Sequence, residues 1–397
     1  MSTTSSETVS PTPLPADNPL LGLHQATDAE FQSYGGVEIV STFGEPQAEY
    51  SALHKGAALM DLPQRGILRV SGKDRLDFLN RFLTNELMNR ETKTPLPAGE
   101  GVYAYLLNNK GRIVCDMNVL QRADHALIET DARNIPTLTT TLEKFVFSEQ
   151  VQFATQVGQL HQIAVHGPKA AEILKQLSPD AVLPAKPMQS TEIALAGKTI
   201  LCYRDDPTGS ASYYLIISAA DAPALWNELT SRFAPGAVSL LQTAKRELWP
   251  TGWAAFNATR IEAGRPLFGI DFDDTVLPAE TSQLDRAVSF TKGCYLGQEI
   301  VARMHARGQV SRLIVGIRMD SDALPIAGSP ICNTPPNQVG GVTSSTISPI
   351  LSNVAICLAL VKRQAAALGT KLQLAAEGSF KSGTVVEVPF VKPETPQ

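Results

Sequence analysis

Apolar residues recur along the chain in two rhythms, and the change between them falls near residue 310. Before that point, short apolar runs alternate with stretches of helical spacing. Over 48–61, Tyr50, Leu53, Ala57 and Leu59 form an approximate helical stripe. Ile67, Leu68 and Val70 read as a strand, Ser71-Gly72 as a turn, and Leu76, Phe78, Leu79, Phe82 and Leu83 as the buried side of a helix. Two apolar runs, 101–107 and 113–120, flank Asn108-Asn109-Lys110-Gly111-Arg112. Asn and Gly tolerate positive φ, so the spacing predicts a hairpin. A strand over 126–130 and a helix over 134–147 complete one α+β unit.

The same order returns. A strand over 162–165 precedes His166-Gly167-Pro168, where Pro in the first turn opens a helix running to Leu177. Strands over 199–203 and 213–218 and a helix over 222–233 follow, so a duplicated α+β architecture is expected. From Ser311 the runs shorten and Gly, Pro, Ser and Asn separate them: 313–317, 340–347, 354–361, 371–374 and 384–388. That spacing predicts a small β-barrel or sandwich. Residues 351–361 suit a helix on propensity alone, but the flanking turn residues favour a strand. The fold class is therefore α+β. Its expected parts are a tail over 1–23, two subdomains over about 24–155 and 156–310, a C-terminal β-barrel over 311–392, and a loose end over 393–397.

Composition changes this picture little. A chain of 397 residues exceeds what one hydrophobic core organises, and 43% apolar with 18% charged residues is ordinary for a folded protein. A net charge of −5 provides no basic field for nucleic acid or anionic lipid, so small molecules and proteins are the expected partners. The Ser/Thr/Pro-rich start carries no signal-peptide core, and no apolar run is long enough for a membrane helix. Five scattered cysteines show neither CxxC pairs nor zinc spacing; no bound metal is expected, and a reducing, cytoplasmic location is.

Candidate chemistry concentrates at Lys292-Gly293-Cys294-Tyr295-Leu296-Gly297-Gln298-Glu299. Ala287-Val288-Ser289-Phe290 alternates like a strand, and 296–306 has helical spacing, which places Cys294 at a helix start. A helix dipole and Lys292 would favour a thiolate there, with Gln298 and Glu299 in the first turn. The plainer alternative is a semi-buried core cysteine beside a solvated charged face.

The whole string, with Val301-Ala302-Arg303 after it, resembles the hallmark of YgfZ-type folate-binding proteins, relatives of the glycine-cleavage T-protein that maintain iron–sulfur enzymes. Arg260-Ile261-Glu262-Ala263-Gly264, Gly269-Ile270-Asp271, Leu277-Pro278-Ala279-Glu280 and Val165-His166-Gly167-Pro168-Lys169-Ala170 are similar to further superfamily segments, and the likeness spans about residues 35–392. It implies a T-protein-like folate-binding fold with mixed or antiparallel sheets, tetrahydrofolate or a derivative as cofactor, and iron–sulfur client or assembly proteins as partners. Cys294 would then be the functional thiol and a shared cluster ligand, because one cysteine cannot close a cluster site. The resemblance places Tyr103 and Asp116 at the folate. It leaves Arg260 either on the folate's glutamate tail or paired with Glu262, and Trp249 and Trp253 either on the pterin or in the core.

Two departures bear on activity. The T-protein pattern Gly-Gly-x-x-Asp-Asp becomes Gly111-Arg112-Ile113-Val114-Cys115-Asp116, with Cys115 where the resemblance puts the first, catalytic aspartate. In Pro207-Thr208-Gly209-Ser210, Ser210 replaces a pterin-contacting glutamate. Together they imply a folate scaffold that supports assembly or repair of [4Fe–4S] clusters in client enzymes and has lost T-protein transfer chemistry. The alternative is a folate-dependent aminomethyl- or methyltransferase.

Overall fold

The computed structural model describes residues 18–234, 246–307 and 310–392. Most of the expected N-terminal tail and the end over 393–397 lie outside them. The chain opens with α1 (Leu21–Gln25), the hairpin β1 (Glu30–Tyr34) and β2 (Val37–Thr42), α2 (Pro46–Lys55) and β3 (Ala57–Asp61). The helix expected over 48–61 thus splits at Gly56. All five residues of β3 are buried, so its sequence reports burial on both faces of a sheet and carries no period of two.

Next come β4 (Arg65–Ser71), α3 (Arg75–Asn80), β5 (Gly101–Leu107), β6 (Ile113–Gln121), β7 (His125–Asp131), α4 (Asn134–Glu143) and β8 (Gln152–Thr155). The hairpin expected around Asn108–Arg112 is β5–β6. These strands make an antiparallel sheet in the order β5-β6-β7-β4-β8. The second unit contains β9 (Leu160–His166), α5 (Ala170–Leu177), β10 (Ser190–Leu195), β11 (Lys198–Arg204), β12 (Tyr213–Ser218), α6 (Ala222–Phe233) and β13 (Leu248–Pro250). Its mixed sheet runs β10-β11-β12-β9-β3-β13, so β3 from the first part of the chain completes the second sheet. The helix α6 has the bounds that its spacing predicts, because Leu225, Trp226, Leu229 and Phe233 all fall on the buried side.

Each sheet carries helices on its outer face. Leu68, Val70, Phe78, Cys115, Met117, Ile128 and Leu138 form one outer core; Leu59, Val165, Ile173, Leu215 and Trp226 belong to the other. The two inner faces meet through Met60, Ile67, Leu120, Leu127, Ala164, Tyr203 and Tyr214.

Then follow α7 (Trp253–Glu262), α8 (Leu284–Ala287) and α9 (Gln298–Arg307). No strand forms over 287–290; the alternation there marks the end of α8, where Ala287 and Val288 are buried. The last part is a closed six-stranded antiparallel barrel of β14 (Arg312–Met319), β15 (Pro330–Thr334), β16 (Asn337–Ser348), β17 (Val354–Lys362), β18 (Lys371–Ala376) and β19 (Ser379–Val386). Residues 354–361 are strand, as the turn spacing favours, whereas β15 carries no apolar run long enough to be legible. The architecture is α+β with a C-terminal barrel, as expected from the sequence.

Two local features yield predictions. The start of α9 packs on the β5–β6 turn, where a Cβ added to Gly111 would lie 2.7 Å from the Ile300 Cβ, at φ +72°. Gly111→Ala is expected to cost about 1–2 kcal/mol from backbone conformation alone, more once Ile300 shifts, and a urea titration reads the loss. A second feature is Asp61 at the end of β3. It accepts from Asn18 Nδ2 at 2.8 Å and lies 2.9 Å from His24 Nε2 and 2.7 Å from His161 Nε2. Burial alone would raise its carboxyl, but His161 and His24 together hold it well below the usual range. A depressed carboxyl stabilises the fold above its unfolded-state value and loses that contribution as pH falls. Stability should therefore drop below about pH 5, and Asp61→Asn should flatten that part of the curve in urea titrations run at successive pH values.

Candidate functional site

Alternation along four strands sends charged residues into the layer between the sheets. Arg65 and Ile67 on β4, Tyr103 and Tyr105 on β5, Asp116, Asn118 and Leu120 on β6, and Leu127 and Glu129 on β7 share the inner face by register. Their neighbours Cys115 and Met117 point the other way, into the helix-backed core. Tyr103 Oη donates to Asp116 Oδ2 at 2.9 Å. Arg65 Nη2 donates to Glu129 Oε2 at 2.8 Å, and Asn118 Nδ2 donates to the same oxygen at 2.9 Å. Burial raises the Asp116 carboxyl above its ordinary value, with Arg65 and the Tyr103 hydroxyl pulling it back and Glu129 pushing it up. A half-buried carboxyl raised in this way is suited to taking or holding a proton.

The facing wall comes from other segments. The Arg286 guanidinium of α8 lies 4.0 Å from the centre of the Tyr103 ring and donates to Asp205 Oδ2 at 2.7 Å. Burial would raise Asp205, but Arg286 and Arg265 lower it further, so the pair is ionised. Tyr203 and Tyr214 stack at 4.8 Å with planes 15° apart, and Gln162 Nε2 donates to Tyr203 Oη at 2.8 Å. Two amide oxygens in this layer, Asn118 Oδ1 and Gln162 Oε1, are buried without a donor.

Of the residues singled out in the sequence, Tyr103 and Asp116 therefore come together in the inter-sheet layer. Arg260 and Glu262 lie elsewhere, at the junction with the barrel. Arg260 pairs with Asp271, and its Nη2 donates to Asn257 Oδ1 at 2.8 Å. Glu262 accepts from Tyr50 Oη at 2.6 Å and from Ser348 Oγ, and sits 2.8 Å from His54 Nε2. Trp253 packs against Phe256 and Tyr34, and the Arg246 guanidinium lies 4.2 Å from the Trp249 ring. Cys294 is exposed, in a loop ahead of α9. The Lys292 ammonium is buried and donates to the carbonyls of Asn80, Leu83 and Asn85 at 2.8, 2.6 and 2.8 Å. Burial pushes it down to about 7, against the pull of Glu86. All three of its donors tie this loop to the end of α3. Gln298 opens α9, half-buried, and Glu299 is exposed beside it.

Sequence reasoning missed Arg65, Glu129, Asp205 and Arg286. A signal existed for Glu129: an acidic residue in the apolar run Ala126-Leu127-Ile128 needs a buried partner. None existed for Arg286, which reaches the site only through tertiary structure.

The GCVT N-terminal domain family matches residues 20–292, and the glycine cleavage T-protein C-terminal barrel domain matches residues 312–392. An aminomethyltransferase of Saccharopolyspora erythraea is 28% identical over 380 residues, covering 95% of this chain and 98% of its own. One from Shouchella clausii is 29% identical over 377 residues, covering 94% and 97%. The glycine cleavage system aminomethyltransferase T of Bartonella henselae superposes with a TM-score of 0.80 at 22% identity, covering 94% of this chain and 98% of that one, which shows the shared fold.

These findings correct three expectations. The YgfZ-type resemblance and the iron–sulfur role with its client proteins rested on one eight-residue string, whereas the aminomethyltransferase likeness runs over nearly the whole chain. The expectation that T-protein transfer chemistry is lost rested on Cys115 and Ser210. Cys115 occupies a core position on the outer face, and the neighbouring Asp116 supplies the inward carboxylate. Ser210 belongs to a turn held by its own hydroxyls, and the same loop presents Asp205 to Arg286. Neither substitution removes the acid from the layer between the sheets.

Proposed function

This chain belongs to the glycine cleavage T-protein family, and on that premise we propose that it is a tetrahydrofolate-dependent aminomethyltransferase. The observation that carries the reading is the pair of half-buried Asp116 and buried Tyr103 facing into the inter-sheet layer. The layer also suits the ligand chemically. Asn118 Oδ1 and Gln162 Oε1 are orphaned acceptors, which the N–H groups of a reduced pterin would satisfy, and the stacked Tyr203 and Tyr214 offer a flat apolar surface. Tetrahydrofolate would supply the two nitrogens that take over the one-carbon unit: as two C–N bonds form, the donor carbon's bonds to ammonia and to its carrier break, and both leave with a proton.

The residues then divide the work. Asp116 accepts the proton shed at the nucleophile and holds it away from water. Tyr103 fixes the carboxylate through its hydroxyl, and Arg286 fixes the Tyr103 ring from the opposite side. Arg65, neutralised by Glu129, keeps Asp116 from rising so far that it stays protonated. The test is direct: purified protein, tetrahydrofolate and an aminomethyl donor are assayed for methylene-tetrahydrofolate and ammonia in equal amounts. Product no faster than the protein-free blank would sink the reading.

A further inference from the structure

His166 ends β9 on the inner face of the six-stranded sheet, in line with Gln162 and Ala164. It is fully buried, and neither Nδ1 nor Nε2 has a hydrogen-bond partner among the described residues. The ring meets Tyr214 edge-on at 5.5 Å and Phe256 at 5.3 Å. Burial pushes the imidazole down to about 3, with Asp205 pulling weakly the other way, so at neutral pH it presents one N–H donor and one bare acceptor. An apolar ring of the same size would pack here without the cost of two unsatisfied polar atoms. Gln162, four residues back on the same face of the strand, and Asn118 across the layer each hold an orphaned oxygen. Unsatisfied groups thus come from both facing sheets.

Resting on the reading given above, we propose that His166 determines ligand specificity by hydrogen-bonding an uncharged donor–acceptor edge, of the lactam kind, on the heterocycle bound between the sheets. Tyr214 and Phe256 hold the ring so that its nitrogens are presented in one orientation, which is what recognition of a fixed edge requires. A neutral imidazole also does not draw in the anionic end of a ligand, which leaves that end to charged groups elsewhere.

The experiment compares tetrahydrofolate affinity and thermal stability of the full chain as wild type, His166→Phe and His166→Gln. Phe keeps a ring and removes both nitrogens, so it should raise the melting temperature while weakening binding about tenfold or more, the equivalent of about 1.4 kcal/mol. Gln keeps a donor and an acceptor and should bind within about threefold of wild type. In the wild type, the imidazole nitrogen NMR shifts should move on adding tetrahydrofolate, a readout independent of how either variant folds. Unchanged affinity in His166→Phe, equal weakening of both variants with lowered melting temperatures, or static imidazole shifts would each overturn the proposal. Wild type that binds while His166→Phe binds equally well removes only this inference. Wild type that does not bind tetrahydrofolate removes the functional reading beneath it as well.

Discussion

Asp116→Asn should lower the rate of methylene-tetrahydrofolate formation by roughly 10²–10⁴, the usual span for loss of a positioned general base, while tetrahydrofolate affinity changes little. The amide keeps the size of the side chain and can still accept from Tyr103 Oη, so the layer should stay assembled. The pH profile carries a second signature. Burial raises the Asp116 carboxyl, and the base form is the active one, so the wild-type rate should climb with pH through a limb above the ordinary aspartate range. The variant should lack that limb. Arg65→Met should move it upward, because Arg65 is the cation that pulls Asp116 down most strongly. Cys115→Ala is the matched control from the adjacent position: it trims the outer core and should leave the rate per folded molecule intact. A rate in Asp116→Asn within tenfold of wild type would remove Asp116 from the chemistry.

Asp271→Ala should cost about 3–5 kcal/mol, the expected loss when one partner of a fully buried ion pair is removed. Arg260 and Asp271 are both fully buried at the root of the barrel. Asp271 Oδ1 accepts from Thr343 Oγ1 at 2.7 Å and Ser344 Oγ at 2.6 Å on β16, and Oδ2 accepts from Leu267 N at 2.9 Å. Its loss strands a guanidinium, the Ser344 hydroxyl and a backbone N–H inside the interface, while the Thr343 hydroxyl keeps the Leu358 carbonyl at 3.0 Å. The double variant Arg260→Met, Asp271→Leu should recover part of the stability, since it removes the stranded charge, but not all, since Ser344 and Leu267 remain unsatisfied. Urea titration gives the magnitude, and limited proteolysis between α9 and the barrel shows whether the barrel loosens first. A loss under about 1 kcal/mol would mean that this node does not hold the two parts together.

Read residue by residue, the elements most legible in the sequence were those with one buried face. The helix α6 and strand β12 were found at their observed limits because their apolar spacing reports a single covered side. Where both faces are covered, as in β3, period disappears and a strand reads as the continuation of a helix. Where a strand is short and interrupted, as in β15, no period is long enough to count. The site was half legible for a related reason. Tyr103 and Asp116 lie 13 positions apart on one hairpin, where the family resemblance points to them, whereas Arg286 meets Tyr103 from 183 positions away.

The α+β class, the barrel at the end of the chain and the hairpin that carries Tyr103 and Asp116 can be read from the order of the amino acids. All of these follow from local spacing and turn chemistry. Only the tertiary structure decided which of two adjacent residues, Cys115 or Asp116, faces the site. A strand sends neighbours to opposite faces, and which face lies between the sheets depends on the sheet that packs against it. It also decided that Arg260 and Glu262 meet the barrel junction and that Arg286 meets Tyr103, because contacts between distant segments are set by packing.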